Sequence, residues 1–185
     1  MRRMTCIVGI EAKGGVILGA DSISTDYAVT TVRSAEDCKV FRIGEYVLGF
    51  TSSFRMGNLL RYHLALPPPP ARGSLHRHLV LKVVPAVRAC LKEGGFATTK
   101  EGAEQGGSFL LGVRGELWSA DADYQMGRNQ HGYAAIGCGY AVALGSLYSS
   151  KKLPPRRRVT LALEAAEQHS VHVRRPWRLL AERAG

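Results

Sequence analysis

The 185 residues are 45% hydrophobic, enough for one well-buried domain and short for two. A formal net charge of +10 and a pI near 9.8 raise nucleic acid or an anionic surface as partners, yet only Arg156-Arg157-Arg158 forms a run and no aromatic–basic motif accompanies it, so a solvated basic face or a contact between subunits accounts for the charge. Four widely separated cysteines, Cys6, Cys38, Cys90 and Cys138, make neither a CxxC nor a zinc spacing and fit free thiols in a reducing cytoplasm.

No apolar stretch approaches the roughly 18 residues of a membrane span, and Met1-Arg2-Arg3 lacks the small-residue cleavage site of an export signal. Two apolar runs then flank Gly14-Gly15, and residues 4–12 and 15–21 are predicted to form a β-hairpin buried on both faces. Residues 39–43 and 46–51 form a second hairpin about Gly44-Glu45, after which Ser52 or Ser53 caps a helix with Met56, Leu59, Leu60 and His63 on one side. Pro67-Pro68-Pro69-Pro70 ends that helix in a stiff loop, because each proline fixes φ and withholds a donor. From 75 to 91 the positions Leu79, Val83, Val84, Val87 and Leu91 keep helical spacing, with a kink expected at Pro85. The polar, glycine-rich stretch 94–107 reads as loop, and 108–113 with 116–120 as a hairpin across Arg114-Gly115. Strands over 123–127 and 132–136 and helices over 139–149 and 159–170 complete the series. Two strand groups, each followed by two helices, suggest two stacked sheets between helical layers.

Thr5 opens the first apolar run, Thr5-Cys6-Ile7-Val8-Gly9-Ile10. An N-terminal threonine is a complete nucleophilic device once whatever precedes it is gone, since its α-amine, with a pKa of roughly 7.7–8.0, takes the proton of its own hydroxyl. A threonine at the start of a strand is more often a plain strand former. Its surroundings add a second observation: Asp21 ends the second strand and Lys39 begins the third, positions from which a carboxylate and an ammonium can converge near Thr5, either as a structural ion pair or as part of the chemistry. A lysine amine beside the nucleophile lowers the cost of ionising the hydroxyl.

The run from Thr5-Cys6-Ile7-Val8 to Gly19-Ala20-Asp21, followed by Lys39-Val40-Phe41 and Val47-Leu48-Gly49-Phe50, resembles the front half of proteasome β-type subunits and HslV-like peptidases, the N-terminal-nucleophile hydrolases. Ala135-Ile136-Gly137-Cys138-Gly139 resembles the same family's Ile-Gly-Ser-Gly turn, where a serine supports the nucleophile. The resemblance implies an α+β fold, the four-layer αββα sandwich, as a single domain over 5–185 behind a leader of residues 1–4. It also implies catalytic roles for Thr5, Asp21 and Lys39, and an oxyanion-holding backbone N–H at Gly49. Cys138 departs from the family's serine, and a thiol is the weaker donor. The family's later aspartate and serine fall on His169 and His172, with Ser170 as the hydrogen-bonding partner if the register shifts by one.

The expected function is that of a threonine-type endopeptidase in a self-compartmentalising homo-oligomeric ring or double ring in the cytoplasm, acting on unfolded polypeptides and served by an unfolding ATPase. No cofactor and no metal are assigned, and His76 with His78 is an exposed helix start rather than a ligand pair. The alternative is a catalytically silent scaffold or chamber subunit, supported by the leader and by the changes at 138, 169 and 172. Thr5 becomes a terminus either by autolysis at Met4–Thr5 or by translation from Met4 followed by methionine removal.

Overall fold

The computed structural model describes residues 5–26 and 29–183; the leader assigned to residues 1–4 lies outside them. β1 (Cys6–Ala12) and β2 (Gly15–Ala20) form the expected hairpin, with Ile7 opposite Ala20 and Ala12 opposite Gly15. β12 (Tyr133–Gly137) pairs with the outer side of β1, and β13 (Arg178–Arg183) with the outer side of β2. The order of this first sheet is β12-β1-β2-β13. β13 follows no apolar alternation, so only the partner strand reveals it. It runs so close to β2 that a β-carbon on Gly15 would lie 1.8 Å from the Glu182 carbonyl oxygen.

The second sheet has the order β11-β10-β9-β6-β5, built from β5 (Val40–Ile43), β6 (Tyr46–Phe50), β9 (Phe109–Val113), β10 (Glu116–Ala120) and the two-residue β11 (Met126–Gly127). Two small hairpins stand apart from both sheets. β3 (Ile23–Asp26) pairs with β4 (Val29–Val32), and β7 (Thr98–Lys100) with β8 (Ala103–Gln105). The second corrects the loop expected over 94–107: Glu101 and Gly102 both take positive φ (52° and 81°), the primed-turn geometry that closes a hairpin even between polar strands.

Among the helices, α1 (Phe54–Tyr62) starts on Ser53, whose hydroxyl accepts from the Arg55 amide. Met56 and Leu60 are buried as expected, but His63 is exposed at the helix end. The kink expected at Pro85 takes the form of a π turn: α2 (Leu75–His78) runs into a wider turn at Leu79–Val83, whose following residue, Val84, donates to the Leu79 carbonyl, and α3 (Val84–Glu93) continues. Proline has no amide for the carbonyl four residues back and crowds it, so the helix widens just before it. α4 (Tyr140–Ser149) matches expectation. α5 (Pro155–His169) begins four residues before the expected start, because Pro155 suits a first helical turn, where an amide would go unpaired anyway.

Strand alternation sorts the side chains into three cores. Cys6, Val8 and Ile10 pack with Ala143, Leu147, Val159, Ala162 and Leu163 of α4 and α5. Ile7, Val16 and Leu18, on the opposite face, pack against Val40, Val47, Leu110 and Leu117 of the second sheet. The far face of that sheet, through Tyr46, Leu48, Phe50, Phe109 and Leu111, meets Met56, Leu60, Leu79, Val83 and Leu91. Each such buried aliphatic or aromatic side chain contributes about 1.5–3 kcal/mol. Period 2 thus sends neighbouring residues of one strand into different cores, and this fixes which groups reach the ends of the strands, where the site lies. No helix among the described residues is long and apolar enough to cross a membrane.

Candidate active site

Thr5 immediately precedes β1 and is only 4% exposed. Its position is set from both flanks. On one side the hairpin brings the residue after β2 alongside: the Asp21 amide donates to the Cys6 carbonyl (3.3 Å), and Asp21 Oδ1 accepts from the Cys6 amide (2.9 Å). On the other side Gly137 ends β12 with φ of +97°, and a β-carbon there would sit 2.1 Å from the Thr5 carbonyl oxygen. Only glycine permits that approach.

Asp21 and Lys39 form a buried ion pair, each 1% exposed, with Lys39 Nζ donating to Asp21 Oδ2 at 2.7 Å. The Ile23 amide also donates to Oδ2, at 3.3 Å, so the carboxylate collects donors from the residue after Thr5, from the start of β3 and from the residue just before β5. Burial pushes the Lys39 ammonium down from its ordinary range and the Asp21 carboxyl up from its own; the attraction between them opposes both shifts. Lys39 and Thr5 line one cavity of about 280 Å³, closed by Ser24, Thr25 and Arg33 and by residues 50–54 at the exit of β6.

On the far side of Thr5 the contacts are made by sulfur. The Thr5 nitrogen lies 3.4 Å from Cys138 Sγ, and Sγ in turn lies 3.4 Å from both the Thr5 carbonyl oxygen and Ser170 Oγ. Ser170 Oγ accepts from the His172 amide at 3.4 Å. The structure therefore gathers Thr5, Asp21, Lys39, Cys138 and Ser170, the last by the one-position shift in register. His169 is exposed and outside this network, and His172 enters it through its backbone. Burial, and next the charge of Asp21, push the neighbouring Cys6 thiol far up, which leaves it inert.

Gly49 is not brought to the cavity. Amides alternate sides along a strand: Phe50 N–H turns to β5 and the Lys39 carbonyl (3.0 Å), so Gly49 N–H turns the other way, toward β9, where Leu110 is its ladder partner. The glycine serves packing instead, since a β-carbon would lie 2.6 Å from Ile7 Cγ2 of the opposing sheet. The residue that stands out on the cavity wall is Ser52, three positions on, with φ of +86°. A left-handed serine stores of order 1 kcal/mol or more, and such strain gathers at functional positions. Nothing in composition marks it; Ser52 and Ser53 read as alternative helix caps, a role that Ser53 takes. Arg33, Thr25 and Phe54 are equally silent in the sequence, because a hairpin and a helix start bring them in from outside the motif. Elsewhere, Glu164 and Glu167 face separate partners, Arg157 (3.0 Å) and Arg175 (2.7 Å). His76 stacks on Trp118, and no group of three or more metal-ligating side chains occurs among the described residues.

No model of a protein family matches the sequence, and no curated protein is detectably similar to it. Solved structures are. The chain is similar to BPH, the bacterial proteasome homologue, of Thiobacillus denitrificans, at 18% identity and a TM-score of 0.81 over 97% of this chain and 98% of that one; the same protein has been solved in complex with Epoxomicin. It is similar to eukaryotic HslV from Trypanosoma brucei at 17% identity and a TM-score of 0.65, covering 95% of this chain and 98% of that one. Anbu, the ancestral beta-subunit, from Yersinia bercovieri follows at 14% identity and a TM-score of 0.68, over 96% and 81%. The chain thus has the proteasome-like fold of the N-terminal-nucleophile hydrolases.

Proposed function

We propose that the protein is a threonine-type endopeptidase whose nucleophile is Thr5. The observation that carries this is the buried Asp21–Lys39 pair, tied by Asp21 to the amide directly after Thr5 and sharing a cavity with it. A structural ion pair has no need of a cavity beside one partner. With residues 1–4 absent, the Thr5 nitrogen is a free amine and takes the hydroxyl proton. The oxygen attacks the peptide carbonyl, the Lys39 charge stabilises the alkoxide, and the collapse of the tetrahedral adduct passes the proton to the leaving amine. Water then hydrolyses the ester on Thr5. Ser52, whose backbone is strained onto the cavity wall, offers the amide for the oxyanion in place of Gly49.

The succession of three cores, helices against sheet, sheet against sheet, sheet against helices, supports the four-layer αββα order. Exposed Val80 and Leu81 on the π turn and Tyr140 and Tyr148 on α4 suit contacts between subunits of a homo-oligomeric ring or double ring. A chamber of that kind would admit unfolded polypeptides, with an unfolding ATPase as supplier, and the four unpaired cysteines suit a reducing cytoplasm. The silent-subunit reading has one observation in its favour, the thiol of Cys138 where the resembling family has a hydroxyl.

The test is intact-mass spectrometry of protein translated from Met4 and exposed to Epoxomicin, the compound bound in one structural neighbour. A chain beginning at Thr5 that gains the mass of one Epoxomicin, hydrolyses fluorogenic peptides, and loses both properties in Thr5→Ala is the expected result. A free Thr5 that neither reacts nor hydrolyses any peptide makes the silent subunit the better account.

A further inference from the structure

The cavity beside Thr5 is chemically one-sided. Among its described side chains the charged ones are Arg33 and Lys39, and none is a carboxylate. Lys39 is committed to Asp21 at 2.7 Å. Arg33 is held in place by three contacts of different kinds: Nε donates to Ser24 Oγ (2.9 Å), the Phe54 ring lies 4.5 Å from Cζ, and Nη1 meets Asp37 Oδ2 at 3.1 Å. These use part of a fork that carries five N–H donors. Asp37 is off the cavity wall, and its pairing with Arg33 is open to solvent, with the side chains 38% and 30% exposed, so it neutralises the guanidinium weakly. Thr25 and Thr51 line the same cavity, but their Oγ1 atoms are enclosed and present nothing to it.

A pre-positioned guanidinium with donors to spare asks for an acceptor-rich anion. An apolar side chain would leave those donors unmet, and a lysine or arginine would meet two cations and no carboxylate. A carboxylate accepts from the guanidinium, and its plane matches the fork. Resting on the peptidase reading above, we propose that Arg33 selects substrates carrying aspartate or glutamate on the acyl side of the scissile bond. Arg33 is the specificity-determining residue, and Asp37 is its internal competitor.

The experiment has a binding arm and a turnover arm, both on protein translated from Met4. Binding of acetyl-Ala-Ala-Glu, acetyl-Ala-Ala-Leu and acetyl-Ala-Ala-Lys is titrated by NMR, and the coumarin amides of the same peptides are assayed for hydrolysis. The expected preference for Glu over Leu is about tenfold or more, with Lys weakest. Arg33→Ala should bring the Glu:Leu ratio to about one, Arg33→Lys should restore part of it, and Asp37→Asn should raise it severalfold; thermal unfolding of each variant separates misfolding from lost recognition. A ratio near one in the unsubstituted protein, or one that folded Arg33→Ala leaves intact, overturns the proposal. The two readings fail differently. Turnover without acidic preference keeps the peptidase and discards the role of Arg33, whereas selective binding of the Glu peptide without turnover of any substrate keeps Arg33 and discards the peptidase.

Discussion

The two flanks of Thr5 are built to different standards. The Asp21–Lys39 flank is buried, made of oxygen and nitrogen at 2.7–3.3 Å, and anchored beside two strands of different sheets. The Cys138–Ser170 flank holds its contacts at 3.4 Å through an exposed sulfur, at a turn and a helix end. Charge at close range in a low-dielectric site is worth far more than a thiol contact, which is second-order in strength. The difference teaches that the charged pair is the tightly held part of this site, while the sulfur side is held loosely. That is a pattern expected when one flank must stabilise an alkoxide and the other only orients an amine.

The most severe way to break the comparison is to remove its electrostatic half. Lys39→Ala should lower kcat by at least about a thousandfold, comparable with the loss of one preorganised stabiliser of transition-state charge, and Thr5→Ala should leave none of the threonine-dependent activity. Asp21→Asn acts on the fold as well. It leaves the Lys39 ammonium buried with a neutral partner, at a cost of about 3–5 kcal/mol, to be read by denaturant unfolding; a loss under about 1 kcal/mol would show that the pair is not structurally coupled.

Acidity sharpens the same contrast. Burial depresses the Lys39 pKa, so its positive charge disappears as pH rises through a value below the ordinary lysine range, and kcat/KM should fall on that alkaline limb. Asp21 opposes the shift by attraction; in Asp21→Asn burial acts without that opposition, the pKa falls further, and the alkaline limb should move to lower pH. A limb that stays put in this variant assigns it to another group.

How much of this was legible in the sequence follows from range. The three hairpins at Gly14, Gly44 and Arg114-Gly115 announce themselves through apolar alternation and turn residues that lie side by side, and Asp21 and Lys39 sit at their ends. β13 and the β3–β4 hairpin carry polar or exposed residues such as Thr30, Thr31 and Arg178, and only their partners make them strands. Gly49 misleads for an instructive reason: a glycine in a buried strand signals close approach of something, and here that is Ile7 of the other sheet rather than a substrate. Ser52 is hidden because left-handed φ in a serine is imposed by tertiary structure. Replacing it tests the reassigned role: Ser52→Gly relieves the strain and should keep activity within about twofold, whereas Ser52→Val, a β-branched residue that resists positive φ, should cost about tenfold or more in kcat. Equal effects of the two would return the oxyanion role to another amide.

The smallest effect is expected on the sulfur flank, and it is the most informative about why that flank is loose. Cys138→Ala removes the contacts to the Thr5 nitrogen and to Ser170 without touching the ion pair, and should lower kcat about tenfold while leaving KM and stability nearly unchanged. Cys138→Ser replaces a weak donor and acceptor by a strong one. The hydroxyl is smaller than the thiol, so the gain depends on the turn closing by a few tenths of an ångström toward Thr5 and Ser170, which the exposure of position 138 permits. Activity should then rise severalfold above that of the unsubstituted protein, and Ser170→Ala should cost more when combined with Cys138→Ser than on its own, because the stronger link has more to lose. If Cys138→Ser instead behaves like Cys138→Ala, the turn is rigid, the 3.4 Å spacing is matched to sulfur, and the thiol is a fitted part of the site rather than a tolerated replacement.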